Sequence, residues 1–253
     1  IASVGYPNPE ESSEYYIAKT IIDGTTIMSN IAYSDTQSTQ HGFAITNGVE
    51  QGGAGLYAAY SDVAMKSGYI PSNNSNVSGG GLFIDSGTKF TLSGGSISSN
   101  MCSLMGGGIM SYIVLAGDSY LSAKSGSLSD IKPVPYEDIS LLPELNINGG
   151  EIFNNFANIA GGGIANLGNI VLNDGLISGN QAQYFGGGIF SISMLALYWL
   201  MVADSELTSN DDPQDEIAAH VNLAGGTITD NSTFNGSNES VEYIKCGGGG
   251  VYS

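Results

Sequence analysis

The chain has 253 residues, with six Lys, no Arg and 24 acidic residues, a formal charge of −18. It lacks the clustered cations that phosphate backbones require, which excludes nucleic-acid binding. Hydrophobic residues make up 42% and charged residues only 12%, so Ser, Thr, Asn and Gly must supply most of the polar surface around an adequate core. The longest apolar run, around Met194 to Val202, is far short of the roughly 20 residues of a membrane-spanning helix.

Residues 1–20 read as an N-terminal arm or cap that contains the apolar, β-prone stretch Tyr15-Tyr16-Ile17-Ala18. From residue 21 to 253 the chain is a repeat. Gly clusters followed by an aliphatic residue start at Gly52, Gly79, Gly106, Gly161, Gly186 and Gly247, separated by 27, 27, 55, 25 and 61 residues. The basic unit is therefore 25–27 residues, and two units carry long insertions. Ile followed three positions later by Asn recurs at Ile27/Asn30, Ile70/Asn73, Ile97/Asn100, Ile152/Asn155, Ile177/Asn180 and Ile228/Asn231. Five residues before each Ile stands another apolar residue: Ile22, Met65, Leu92, Ile147, Leu172 and Leu223. Turn residues such as Asp23-Gly24 and Asp174-Gly175 lie between the two columns.

Each unit thus predicts three short strands with apolar residues alternating against small polar ones, as in Phe90-Thr91-Leu92-Ser93. Strands this short bury a face only by stacking unit on unit. The predicted fold is an all-β, single-stranded, right-handed parallel β-helix of about six coils. In it the Ile column 27, 70, 97, 152, 177 and 228 forms an inward stack, the Gly clusters form tight corners, and Asn residues, best defined at Asn155 and Asn180, stack their amides along the axis.

Four stretches break the period, at 31–51, 110–144, 190–220 and 232–246. His41 and His220 both fall in them. Insertions 110–144 and 190–220 leave from one corner and open with apolar runs, Tyr112 to Leu115 and Met194 to Val202. These runs are either the core of a lateral flap or, through Tyr198 and Trp199, a contact surface for a protein or glycan partner. The acidic run that closes the second insertion, with Asp204, Glu206, Asp211, Asp212 and Asp215, is either a solvated loop or a Ca²⁺ site built from carboxylates. Asn-x-Ser/Thr sequons at Asn73, Asn76, Asn231, Asn235 and Asn238 are candidate glycosylation sites, the last pair in an insertion. Cys102 takes a small-residue slot also filled by Ala157 and Ala182, so a buried thiol is expected. It stands roughly 14 Å along the axis from Cys246, too far for a disulfide between them.

The pairing of Gly-Gly-Gly-Ile, as at residues 106–109, with Ile-x-x-Asn, as at 152–155, resembles the double motif of the polymorphic membrane protein repeats of bacterial surface adhesins and autotransporter-like passengers. That resemblance implies an extracellular, surface-associated β-helix with an adhesive or structural role.

Polysaccharide lyases and hydrolases on β-helices need a basic residue beside clustered carboxylates, and here Arg is absent and the strands carry almost no charge. Thr-x-Thr, the unit of a flat ice-binding file, occurs on the repeat only at Thr227-Ile228-Thr229. The expectation is a non-enzymatic structural protein without a cofactor. Its partner is a second copy, added head to tail through Tyr15, Tyr16 and Ile17 at one end and Val251 and Tyr252 at the other.

Overall fold

The alternation written in the repeat becomes strand. In the computed structural model, which describes residues 1–7, 15–33, 52–112, 141–193, 219–234 and 248–252, the strands occur in a fixed cyclic order. The first unit holds β1 (Ala2–Val4), a small antiparallel pair β2 (Tyr6–Pro7) and β3 (Tyr15–Tyr16), then β4 (Ala18–Ile22), β5 (Thr25–Thr26) and β6 (Ile31–Ala32). The second holds β7 (Leu56–Ala59), β8 (Ser61–Met65), β9 (Gly68–Pro71) and β10 (Asn74–Ser75), and the third β11 (Leu82–Ile84), β12 (Lys89–Leu92), β13 (Ser96–Ser98) and β14 (Met101–Cys102). In the fourth and fifth, two strands fuse into one: β15 (Ile109–Ser111), β16 (Glu144–Phe153) and β17 (Phe156–Ala157), then β18 (Ile164–Asn166), β19 (Asn169–Ser178) and β20 (Gln181–Ala182). The sixth is β21 (Ile189–Ser191), β22 (His220–Leu223), β23 (Thr227–Thr229) and β24 (Ser232–Thr233), followed by β25 (Val251–Tyr252).

These strands form three open parallel sheets. One has seven strands in the order β1-β7-β11-β15-β18-β21-β25, and one has six, β6-β10-β14-β17-β20-β24. The third runs from β4 through β8 and β12 to β16, returns through β13 and β9 to β5, and continues through β19 to β22 and β23. Every neighbour in a large sheet comes from the adjacent unit, so equivalent residues lie in register. Ile70, Ile97, Ile152, Ile177 and Ile228 are successive partners. All are fully buried except Ile228, which packs partly buried against the same core. Ile27 joins them at 5% exposure.

The first twenty residues are not separate from this array, because β1 pairs with β7 and β4 with β8. The stretches between units likewise begin in sheet: Ile31–Ala32, Met110–Ser111, Phe190–Ser191 and Ser232–Thr233 are paired strand residues. His220, expected in an insertion, opens β22 opposite Asn169.

A second apolar cluster lies outside the main core. Phe83, Met110, Ala165 and Phe190 form one file of the seven-stranded sheet, on the face opposite Leu82, Ile109, Ile164 and Ile189. Met105, Ala160 and Phe185, each just ahead of a Gly cluster, pack alongside it. The uninterrupted run Leu82-Phe83-Ile84 is the local signature of a strand buried on both faces.

Candidate interaction edges

The Asn of every unit lies in one continuous ladder. The backbone N–H and Nδ2 of Asn30 both donate to Asn73 Oδ1 (3.0 and 2.8 Å). The same pair of bonds joins Asn73 to Asn100, Asn100 to Asn155, Asn155 to Asn180 and Asn180 to Asn231. Each Nδ2 from Asn73 onward also donates backward to the Ile carbonyl of the preceding unit, as Asn155 does to Ile97 at 3.0 Å. The Asn-to-Asn bonds therefore share one direction, each donated toward the higher residue number.

The residue before each rung takes a left-handed conformation: Ser29, Ser72, Ser99, Asn154, Gly179 and Asp230 have φ between 53° and 62°. That turn aims the following Asn inward. The Gly corner explains the recurring spacing to the Gly cluster, since a Cβ at Gly108 would sit 3.0 Å from Asn155 Nδ2 and 2.6 Å from the Gly163 carbonyl. A Cβ at Gly107 would fall on the Phe156 carbonyl oxygen of the next unit. No side chain fits at either place.

Two sequon residues acquire a different role in this geometry. Asn73 is buried and its amide nitrogen is committed to Ile27, Pro71 and Asn100. Asn231 is the last rung. A glycan on the Asn73 amide would break the ladder, so Asn73 is not an acceptor in the folded chain, whereas the Asn231 amide nitrogen makes one bond, to Ile177 O, and keeps a second hydrogen. Asn76 is half-buried, and Asn235 and Asn238 lie outside the described residues, as do the acidic residues Asp204, Glu206, Asp211, Asp212 and Asp215 and the runs of both long insertions beyond Tyr112 and Ser193. Among the described residues no three potential metal ligands cluster.

Among the described residues the three sheets end in two sets of edges, and exposed apolar side chains collect there. Of the twelve large hydrophobic side chains left exposed among the described residues, seven lie between Ile1 and Tyr33, in the first unit. Leu223, Phe234 and Tyr252 belong to the other end, and Tyr69 and Met101 stand between. Leu223 is instructive, because its column partner Leu172 is 1% exposed while Leu223 itself is 49% exposed.

The residues expected to mediate self-association divide. Ile17 is exposed. Tyr15 and Tyr16 pair antiparallel with Pro7 and Tyr6 of their own chain in a two-stranded sheet, which occupies one edge of their strand. Val251 packs partly buried on the core. Tyr252 lies over the second apolar cluster, its ring 5.6 Å from Phe190 and 5.2 Å from Phe185.

Register also places charges that no local motif revealed. On the outer face of the largest sheet, Lys19, Asp62, Lys89, Glu144, Asn169 and His220 form one file. The sign alternates over its first four members, and Lys89 Nζ lies 3.9 Å from Glu144 Oε2. On β7, burial and the neighbouring Asp85 carboxylate raise the Tyr57 pKa well above the usual phenol range, and the Tyr57 hydroxyl donates to Asp85 Oδ2 at 2.8 Å. Burial pushes the Cys102 thiol up to about 12, which makes it an inert filler of the core.

No protein-family model, curated protein or solved structure matches this chain.

Proposed function

We propose that this chain is a single-stranded, right-handed parallel β-helix that acts as a non-enzymatic, extracellular structural subunit and associates head to tail into a fibre or surface stalk. The cyclic strand order and the single Asn ladder support the solenoid, and parallel crossovers in one sheet favour the right hand. The collection of exposed apolar residues at the two sets of edges carries the functional reading. Strand edges flanked by apolar side chains are templates for further strands, and a heterologous contact that does not close produces a filament. The resemblance of the repeat to surface-adhesin motifs favours an extracellular setting.

A second reading, an adhesin that binds a host protein or a glycan, draws on the outer face of the six-stranded sheet. There exposed Met101 neighbours Phe156, which stacks on Phe234 at 5.9 Å. Sedimentation of the chain over a wide concentration range separates the two. Concentration-dependent, open-ended growth that Asn30→Ala suppresses supports axial association. A strict monomer that Met101→Asp deprives of surface binding supports the adhesin.

A further inference from the structure

We propose that β25 regulates the end-to-end joint by occupying the place that the first strand of an incoming copy would take; the inference rests on the head-to-tail reading above. The ladder fixes how two copies would meet. On one side stands Asn30 Oδ1, which no described donor reaches, and on the other the backbone N–H of Asn231 and its second Nδ2 hydrogen. Bringing them together repeats the bond pattern made at every internal rung. Acceptor would meet acceptor if two first units faced each other, so the joint is unidirectional.

That register sets β4, β5 and β6 of the incoming copy on β22, β23 and β24, since Ile22 and Leu223 end one column and Asn30 and Asn231 another. The incoming β1 must then lie on β21, because β1 precedes β4 just as β21 precedes β22 in the cyclic order. The position is already filled. Ile189 pairs with Val251 and Phe190 with Tyr252, and Ala2 is the member of the Tyr252 file in the first unit, through Tyr57, Phe83, Met110, Ala165 and Phe190. Two strands compete for one edge.

Side chains favour the resident. Tyr252 covers Phe190 and Phe185 with its ring, and Ala2 has no ring to replace it. Growth therefore requires β25 to peel away, and the aromatic contacts of Tyr252 set how readily it does so. The prediction opposes the plainer expectation, in which an exposed Tyr252 serves as adhesive.

Sedimentation velocity on the full 253-residue chain decides between them, comparing the parent, Tyr252→Ala, Asn30→Ala and the double variant, with thermal melting of each to verify folding. Tyr252 makes two ring contacts, so its removal should lower the concentration at which association sets in by about tenfold. Asn30→Ala should cancel that gain. If Tyr252→Ala associates no better than the parent while the parent still assembles and Asn30→Ala blocks it, the competition is refuted and the head-to-tail reading stands. If neither the parent nor Tyr252→Ala associates at any concentration, both are refuted.

Discussion

Replacing the central rung of the ladder, Asn155→Ala, should be among the most destabilising single changes in the chain. The substitution deletes the acceptor of Asn100 N–H and Nδ2, both at 3.0 Å, and the donor to Ile97 O at 3.0 Å and Asn180 Oδ1 at 2.9 Å. Asn100 and Asn155 are each 1% exposed, so water does not replace what is lost. A buried donor left without a partner costs about 1–3 kcal/mol, and the two stranded on Asn100 give about 2–6 kcal/mol. Asn30→Ala is the control, because Asn30 is exposed and its side chain loses one bond to Asn73, a change of about 0.5–1 kcal/mol. Urea unfolding of both variants and the parent, followed by fluorescence, measures the difference, and the slope with denaturant reports whether the repeats still unfold as one unit. If Asn155→Ala lies within about 1 kcal/mol of Asn30→Ala, the ladder is not an energetic spine and the argument built on it fails.

Other consequences are as specific. The Cys102 thiol is held neutral up to about 12 in the folded chain but ionises near 8.5 when unfolded. The native state therefore retains a proton that the unfolded state loses. Stability attributable to Cys102 should be constant below about pH 8.5 and fall by about 1.4 kcal/mol per pH unit above it, a slope that Cys102→Ala removes in pH-dependent unfolding. Ser99→Gly relieves a φ of 54° and should raise stability by up to about 1 kcal/mol in thermal melts. Gly179→Ala should do the reverse by about 1 kcal/mol, since its φ is 62° while the nearest atom to a new Cβ, Asn154 Oδ1, ends an exposed side chain that can move aside. Gly108→Ala should cost about 1–3 kcal/mol or more, because both neighbours of the new methyl are held in the ladder and the next corner.

Much of this architecture was legible because a repeat writes each structural decision several times. The inward Ile column, the alternating strand Lys89–Leu92 and the buried Cys102 follow from local pattern, and each local choice agrees with its equivalents in the other units. The glycosylation signal at Asn73 was misleading for a physical reason: Asn-x-Ser also describes an inward amide in a small-residue corner, and only register shows that Asn73 bonds Asn100. Register was equally necessary for the alternating file of Lys19, Asp62, Lys89 and Glu144, whose successive members are separated by up to 55 residues of sequence yet lie on adjacent strands. The competition between β1 and β25 is invisible to any motif, because it concerns one edge and two strands from opposite ends of the numbering. By contrast, the buried outer file of Phe83 and Phe190 did leave a signal, an apolar run where alternation should have placed a polar residue.

The most direct test of head-to-tail association is the axial repeat of the assembled material, measured by electron microscopy and fibre diffraction on concentrated parent protein and on Asn30→Ala. With the six described units stacked and β25 displaced, each 253-residue copy should advance the fibre by about 29 Å, six spacings of about 4.8 Å. The Asn30→Ala preparation should show single particles. Strict monomers of the parent at every concentration, or fibres whose strands run along rather than across the axis, would contradict the account.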